Sequence, residues 1–135
     1  MLFVILVKAK VKLKGLRESY LSTVLVDSGA RMTLVDRVLA DRLGVEYTGR
    51  EISFIPISGH SVKALEAIVA ELEVEGEKLR YEPVAVSEIP GKVKDALRSN
   101  NLDENIVLGV LIMERRNMTP DTATGKPRKV ESFIF

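Results

Sequence analysis

Cysteine and tryptophan are absent from this sequence, and histidine occurs once, at position 60. Without cysteine the chain has no disulfide, no thiolate nucleophile and no sulfur ligand for zinc. A single histidine also argues against multi-histidine metal sites and against a Ser-His-Asp triad. The available chemistry therefore rests on carboxylates, hydroxyls, lysines and backbone groups, and we expect no bound metal and no cofactor.

An excess of charge of one sign is also missing. Lysine and arginine number 20 against 19 aspartates and glutamates, which leaves a formal net charge of +1. This balance creates no extended positive field for a phosphate backbone. Three tyrosines and four phenylalanines also provide little surface for stacking single-stranded bases. We therefore expect no nucleic-acid partner.

Long hydrophobic runs are lacking as well. The chain begins with the apolar segment Met1–Val7, which is too short to span a bilayer and is followed by alternating lysines. It has neither the positively charged start nor the small-residue cleavage site of a signal peptide. We interpret it as a buried strand and expect no membrane partner. A cytoplasmic location is our prediction, and the absence of cysteine agrees with a reducing compartment.

Alternation of polar and apolar residues dominates what is present. A chain of 135 residues is predicted to form one domain, 1–135, with a hydrophobic core large enough to stabilise it without disulfides or metals. Turn signals at Gly15, Gly76, Pro90-Gly91 and Thr124–Pro127 separate the segments. The pattern predicts an all-β domain with two or three short helices. Beyond the alternating segment Lys8–Lys14, strands are predicted at Tyr20–Val26, Met32–Val35, 51–57, 62–75, Leu79–Val86, Ile106–Val110 and Val130–Phe135, and helices at Asp36–Leu43, Lys92–Arg98 and Leu111–Arg116.

The first predicted helix has signals at both ends. Asp36 is placed to cap its amino terminus, and Gly44 stands where a left-handed residue ends a helix. We expect Val38, Leu39 and Leu43 to share its buried face.

Two charged stripes suggest a strand pairing. Lysines alternate with apolar residues in Lys8–Lys14, and glutamates do so in Glu71–Glu75. If the two strands lie side by side, opposite charges face each other, and each exposed pair contributes about 0.2–1 kcal/mol. The stripes also have a simpler interpretation as solvated strand faces.

The most informative stretch is Asp27-Ser28-Gly29-Ala30, which directly follows a buried apolar strand. Ser28 supplies a hydroxyl, and Gly29 permits a close approach of its amide to the carboxylate. Such a loop can hold Asp27 in a fixed orientation for acid–base chemistry. The alternative is an ordinary Asx turn between two strands.

A second motif lies far downstream. Residues with a high preference for β-strands precede Leu108 and Gly109, and a short helix is predicted directly after them. The order of these parts resembles the retroviral-type, or retropepsin-like, aspartic proteases. Members of that family contain, in this order, a strand, the motif Asp-Thr/Ser-Gly-Ala, a flap hairpin with a glycine, and a strand with a hydrophobic-Gly motif. The resemblance covers almost the whole chain and implies a closed or partly closed β-barrel of the acid-protease type.

The resemblance also implies roles for particular residues. Peptide hydrolysis by carboxylates needs two aspartates, and this chain has one Asp-Ser-Gly-Ala, so the family pattern implies a homodimer that pairs the two Asp27 side chains. Ser28 stands where the family usually has threonine. The flap candidates are Ile57, Ser58, Gly59 and His60, and His60 is either solvated or in contact with ligand. Leu111 occupies a place where the family often has Asp or Asn.

Two functions from different classes follow. The first is an aspartic endopeptidase that acts as a homodimer on extended peptide or protein substrates. The second is a non-catalytic dimerisation or peptide-binding module with the same fold. At least one of the apolar terminal segments Met1–Val7 and Glu131–Phe135 is predicted to pair in a sheet, because exposed lone strands aggregate. The resemblance implies the dimer interface as the place of this pairing.

Overall fold

The computed structural model of the chain describes residues 6–54 and 61–130. Within them the main chain alternates between strands and three short helices. The strands are β1 Val7–Lys14, β2 Ser19–Val26, β3 Leu34–Asp36, β4 Glu46–Phe54, β5 Val62–Val74, β6 Glu77–Ser87, β7 Ile106–Leu108, β8 Met118–Asp121 and β9 Lys126–Lys129. The helices are α1 Arg37–Leu43, α2 Gly91–Ser99 and α3 Val110–Arg115.

Six of these strands close into a barrel. The hydrogen-bonded order is β1-β2-β7-β3-β6-β5, and β5 pairs back onto β1 to complete the ring. The pairs β2–β7 and β3–β6 are parallel, and the other pairs are antiparallel. β4 extends the sheet outward from β5, and β8 with β9 forms a separate hairpin. The prediction of an all-β, acid-protease-type barrel with few short helices is confirmed.

The hydrophobic residues form two separate clusters. The larger one fills the barrel with alternate side chains from β1, β2, β5, β6 and β7, among them Val24, Val26 and Leu108. The smaller one, here called the outer cluster, consists of the buried residues Leu25, Leu97, Leu102 and Val107, with Leu6, Leu34 and Val93 packed against them.

The two charged stripes lie on neighbouring strands, as predicted. In the β1–β5 pairing Lys12 lies opposite Glu73 and Lys14 opposite Glu71. Among the described residues, however, the ion pairs of Glu71 join it to Lys78 and Arg80 on the other side, at 3.8 and 3.9 Å. The strand β5 is flanked by β1 and β6, so its glutamates have basic neighbours on both sides. The stripes therefore mark adjacent strands, but they do not pair exclusively with each other.

Helix α1 begins and ends where the sequence predicts. Asp36 accepts a hydrogen bond from the Val38 amide at 3.2 Å, and Gly44 adopts a left-handed φ of 79°. The expectation that Val38 shares the buried face is wrong, because its side chain is 75% exposed. In a helix of only two turns, Leu39 and Leu43 define the buried face, and Val38 points about 100° away from Leu39.

Other boundaries differ slightly from the prediction. β3 begins at Leu34 rather than Met32, and β4 begins at Glu46, before the predicted strand at residue 51. The helices predicted at 92–98 and 111–116 are present within one residue of the predicted ends. The turn predicted at 124–127 lies two residues earlier, because β8 ends at Asp121 and β9 already begins at Lys126. The flap candidates Ile57, Ser58, Gly59 and His60, and most of both terminal segments, lie outside the described residues. None of the described helices is long and apolar enough to cross a membrane.

Candidate active site

Asp27 follows the last residue of β2, at the point where the strand leaves the barrel wall. Its amide donates a hydrogen bond to the carbonyl oxygen of Leu108 at 2.9 Å. This bond extends the parallel pairing in which Val26 lies beside Leu108. The backbone position of Asp27 is therefore set by the barrel and not by a free loop.

The residues after Asp27 form a tight turn around its carboxylate. The Gly29 amide donates to Asp27 Oδ1 at 2.9 Å, and the Ala30 amide donates to the Asp27 carbonyl oxygen at 3.0 Å. A Cβ on Gly29 would lie 3.3 Å from Oδ1, closer than an ordinary contact. Asp27 is half-buried, whereas Ser28 and Gly29 are exposed. The Asx turn expected as the simpler interpretation is present, and it orients the carboxylate.

The segment that follows Gly109 supports this turn through main-chain hydrogen bonds. The amide of Val110 donates to the Ala30 carbonyl at 2.9 Å, and the amide of Leu111 donates to the Arg31 carbonyl at 3.0 Å. Leu111, which replaces a polar residue of the family pattern, thus anchors the turn through its main chain. The structure brings the Asp27 and Gly109 segments together although most of the chain separates them.

Gly109 packs directly against the backbone that follows the turn. A Cβ at this position would lie 2.4 Å from the carbonyl carbon of Met32 and 2.7 Å from the Arg31 carbonyl oxygen. The Gly109 amide donates to the hydroxyl of Thr33 at 3.2 Å, and Thr33 is buried. The sequence analysis predicted Gly109 and did not predict Thr33. A lone threonine inside an apolar segment is the signal that points to it, because a buried hydroxyl needs a partner.

A hydrogen-bonded carboxylate holds the chain that leads into β7. Asp103 accepts from the hydroxyls of Tyr20 and Ser22 and from the amide of Asn105, the last at 2.7 Å. Burial and the Asp103 carboxylate raise the pKa of Tyr20 above its ordinary value. The phenol therefore stays protonated and keeps donating its hydrogen bond at neutral pH.

A buried ion pair fixes α2 to the start of α1. Asp36 is almost fully buried, and Lys94 Nζ lies 3.2 Å from its Oδ1. The Ile89 amide donates to the same oxygen at 3.0 Å, and the Asn105 carbonyl accepts from the Asp36 amide at 2.8 Å. The sequence predicted Asp36 only as a helix cap. Its partners come from segments far apart in the chain.

A cavity of about 280 Å³ opens at another place on the barrel. It lies between the start of α1 and the paired strands β4 and β5, and charged residues of both signs line it. Asp27 is not part of its wall, so the cavity does not mark the carboxylate. The cavity is lined by Arg37, Glu51, Lys63, Ala64, Leu65, Val86, Ser87 and Glu88.

Among the described residues, no group of three or more His, Cys, Asp or Glu side chains is placed to hold a metal ion.

The barrel, the oriented carboxylate and the bracing glycine define a class of protein. They match the parts of the acid-protease pattern that carried the resemblance in the sequence. A model of the aspartyl protease family matches residues 9–111, which include Asp27 and Gly109. The chain belongs to this retropepsin-like family. No curated protein matches the sequence.

Proposed function

We propose that the protein is an aspartic endopeptidase whose catalytic dyad forms between the Asp27 residues of two identical subunits. The observation that carries this proposal is the state of the Asp27 carboxylate. Oδ1 accepts the Gly29 amide, and no described residue donates a hydrogen bond to Oδ2. One oxygen is thus oriented, and the other is available to a water molecule or to a second carboxylate. Family membership supports peptidase chemistry in general.

One subunit supplies half of the required chemistry. Hydrolysis of a peptide needs one carboxylate to take a proton from the attacking water and one carboxylic acid to protonate the carbonyl oxygen. Two aspartates a few Å apart share one proton, because both cannot be ionised at that distance. A two-fold axis beside Asp27 provides this pair with a single Asp-Ser-Gly per chain.

The exposure of the turn agrees with such an axis. Ser28 and Gly29 are exposed and form the rim around Asp27 in the single chain. We propose that Ser28 donates a hydrogen bond across the axis beneath the aspartates, and that Ile57–His60 close over a peptide held above them. The ionised aspartate takes a proton from the water as the water attacks the peptide carbonyl carbon, and the neutral aspartate protonates the carbonyl oxygen. The aspartate that received the proton from water then gives it to the peptide nitrogen while the tetrahedral intermediate collapses and the C–N bond breaks. The products are a carboxylic acid and an amine, and the pair again holds one proton.

Dilution provides a test of the dimer. Specific activity toward an unstructured protein substrate is expected to fall when the enzyme is diluted below its dimer dissociation constant, since a monomer holds one carboxylate. Activity and sedimentation velocity are measured over the same concentration series, and the two curves should share a midpoint. Constant specific activity in samples that sediment as monomers would exclude the shared dyad.

The single-domain organisation over residues 1–135 and the cytoplasmic location are further proposals. They rest on chain length and on the composition of the sequence. Fractionation of the cells that naturally make the protein, followed by detection with an antibody, tests the cytoplasmic location. A non-catalytic peptide-binding module remains the function to adopt if purified dimer binds peptides but cleaves none.

A further inference from the structure

The barrel wall that carries Asp27 has an inner and an outer face. Side chains of a strand point alternately to the two faces. Val24 and Val26 belong to the core inside the barrel, whereas Leu25 belongs to the outer cluster. The backbone ladder continues through the Asp27 amide. Asp27 therefore shares the outer face with Leu25, two residues before it.

Neighbouring strands make this outer face apolar. Val107 of β7 lies beside Leu25 in the parallel pairing, and Leu34 of β3 lies beside Val107 in the antiparallel pairing. All three belong to the outer cluster. An apolar surface three strands wide thus adjoins the carboxylate.

Helix α2 and the loop that follows it cover this surface. Leu97 and Leu102 pack on Leu25 and Val107 and are only 4% and 5% exposed, and Val93 packs beside them. Leu25 and Val107 are themselves less than a tenth exposed. An apolar side chain of a peptide reaches them only when Leu97 moves away.

A small number of side-chain contacts attaches α2 to the rest of the protein. Leu97 is the one buried residue of the helix, whose amino-terminal Pro90 makes no side-chain capping bond. Lys94 binds Asp36 at 3.2 Å, and beyond the far end Asn101 has a positive φ of 58°, which non-glycine residues seldom adopt. Arg98 at the end of α2 also binds Glu104 in the following loop at 3.1 Å. A helix with one buried leucine and two ion pairs to neighbouring segments has few contacts to lose when it opens.

We propose that α2 is a closed cover over a substrate subsite, and that Leu97 occupies the place that an apolar side chain next to the cleaved bond takes in the complex. This inference rests on the proposed function. Binding of peptide then displaces Leu97 and swings α2 outward about the Pro90-Gly91 and Asn100-Asn101 ends. The free protein keeps its apolar subsite filled with its own leucine.

The test compares two peptide mimics that carry a hydroxyl in place of the scissile bond. The leucine mimic has a leucine on each side of the hydroxyl, and the alanine mimic has an alanine on each side. In Leu97→Ala the leucine mimic is expected to bind about tenfold tighter or more than in the wild type, because the cost of opening is removed. The alanine mimic should gain less. Isothermal titration calorimetry measures both affinities, and amide hydrogen exchange follows α2.

Leu39→Ala is the matched control, since Leu39 is a buried leucine of the short helix α1 and belongs to the core inside the barrel. The affinity of the Leu39→Ala variant for the leucine mimic should equal that of the wild type. Lys94→Met releases α2 without a core cavity and replaces Leu97→Ala if that variant fails to fold. In the wild type, the leucine mimic should speed exchange of the α2 amides.

Three outcomes separate the inference from the function on which it rests. Tighter binding to Leu97→Ala or Lys94→Met, with faster exchange in α2, supports the cover. Equal binding of the leucine mimic to all variants, with α2 exchange unchanged, overturns the cover and leaves the peptidase intact. A mimic that binds none of the folded variants overturns the proposed function, and α2 is then a structural helix only.

Discussion

Asp27→Asn is expected to lower the rate of peptide hydrolysis by at least about 10³-fold, a loss typical of removing positioned acid–base catalysis. The amide keeps the shape of the side chain, and its oxygen can still accept from the Gly29 amide. It can neither take a proton from water nor give one to the substrate. Turnover of an unstructured protein at several pH values measures the loss, and the wild-type profile should be bell-shaped because only the singly protonated pair is competent.

Asp121→Asn is a matched control, because Asp121 also sits in a turn and accepts the amide of the residue two positions on, Ala123, at 2.9 Å. It lies in the β8–β9 hairpin, outside the carboxylate site. Activity of this variant should equal that of the wild type. If Asp27→Asn cleaves as fast as the wild type while remaining folded, the dyad assignment is wrong and the activity belongs to another site.

Gly109→Ala should strongly destabilise the fold. Its Cβ would overlap the Met32 carbonyl carbon at 2.4 Å, and the atoms it meets are main chain, which cannot swing away. Backbone shifts of this kind cost about 1–3 kcal/mol or more, and they displace the support of the Asp27 turn. Urea unfolding measures the free energy, and peptide turnover of the folded fraction should fall with it.

Gly91→Ala provides the comparison for that experiment. A Cβ at Gly91 meets nothing within 4 Å, and its φ is not in the left-handed region. Alanine also has the higher helix propensity, so this variant should match or slightly exceed the wild type in stability. Equal stability of both alanine variants would show that the barrel relaxes around Gly109 and would remove its bracing role.

Local patterns in the sequence predicted most of the elements, although β8 and β9 were not predicted as strands. Alternating lysines and glutamates marked β1 and β5, and Asp36 with Gly44 marked the ends of α1, since each signal lies within a few residues. The Asp27 turn and Gly109 were predicted because the family pattern joins them. The positive φ of 56° at Tyr81 has no such signal, because nothing about a tyrosine in a strand marks a left-handed residue.

Contacts between distant segments account for most of what was missed. Asp36 was assigned as a cap, but its ion pair with Lys94 depends on how α2 folds back over β3. Val93 and Leu97 are spaced to share a helix face, but that spacing fits any apolar surface and does not name the outer cluster. Thr33 has no partner within its own segment, so only the assembled barrel reveals its bond to Gly109.

The parallel pairing of β2 with β7 has a consequence for the order in which the carboxylate site assembles. The Asp27 amide bonds to Leu108, and the turn around Asp27 is supported by the amides of Val110 and Leu111. Leu108, Val110 and Leu111 lie far from Asp27 in the sequence, so the turn lacks these bonds until β7 has joined β2. Contacts between such distant residues form slowly. On the proposed function, the carboxylate therefore reaches its working position only late in folding, when the barrel closes.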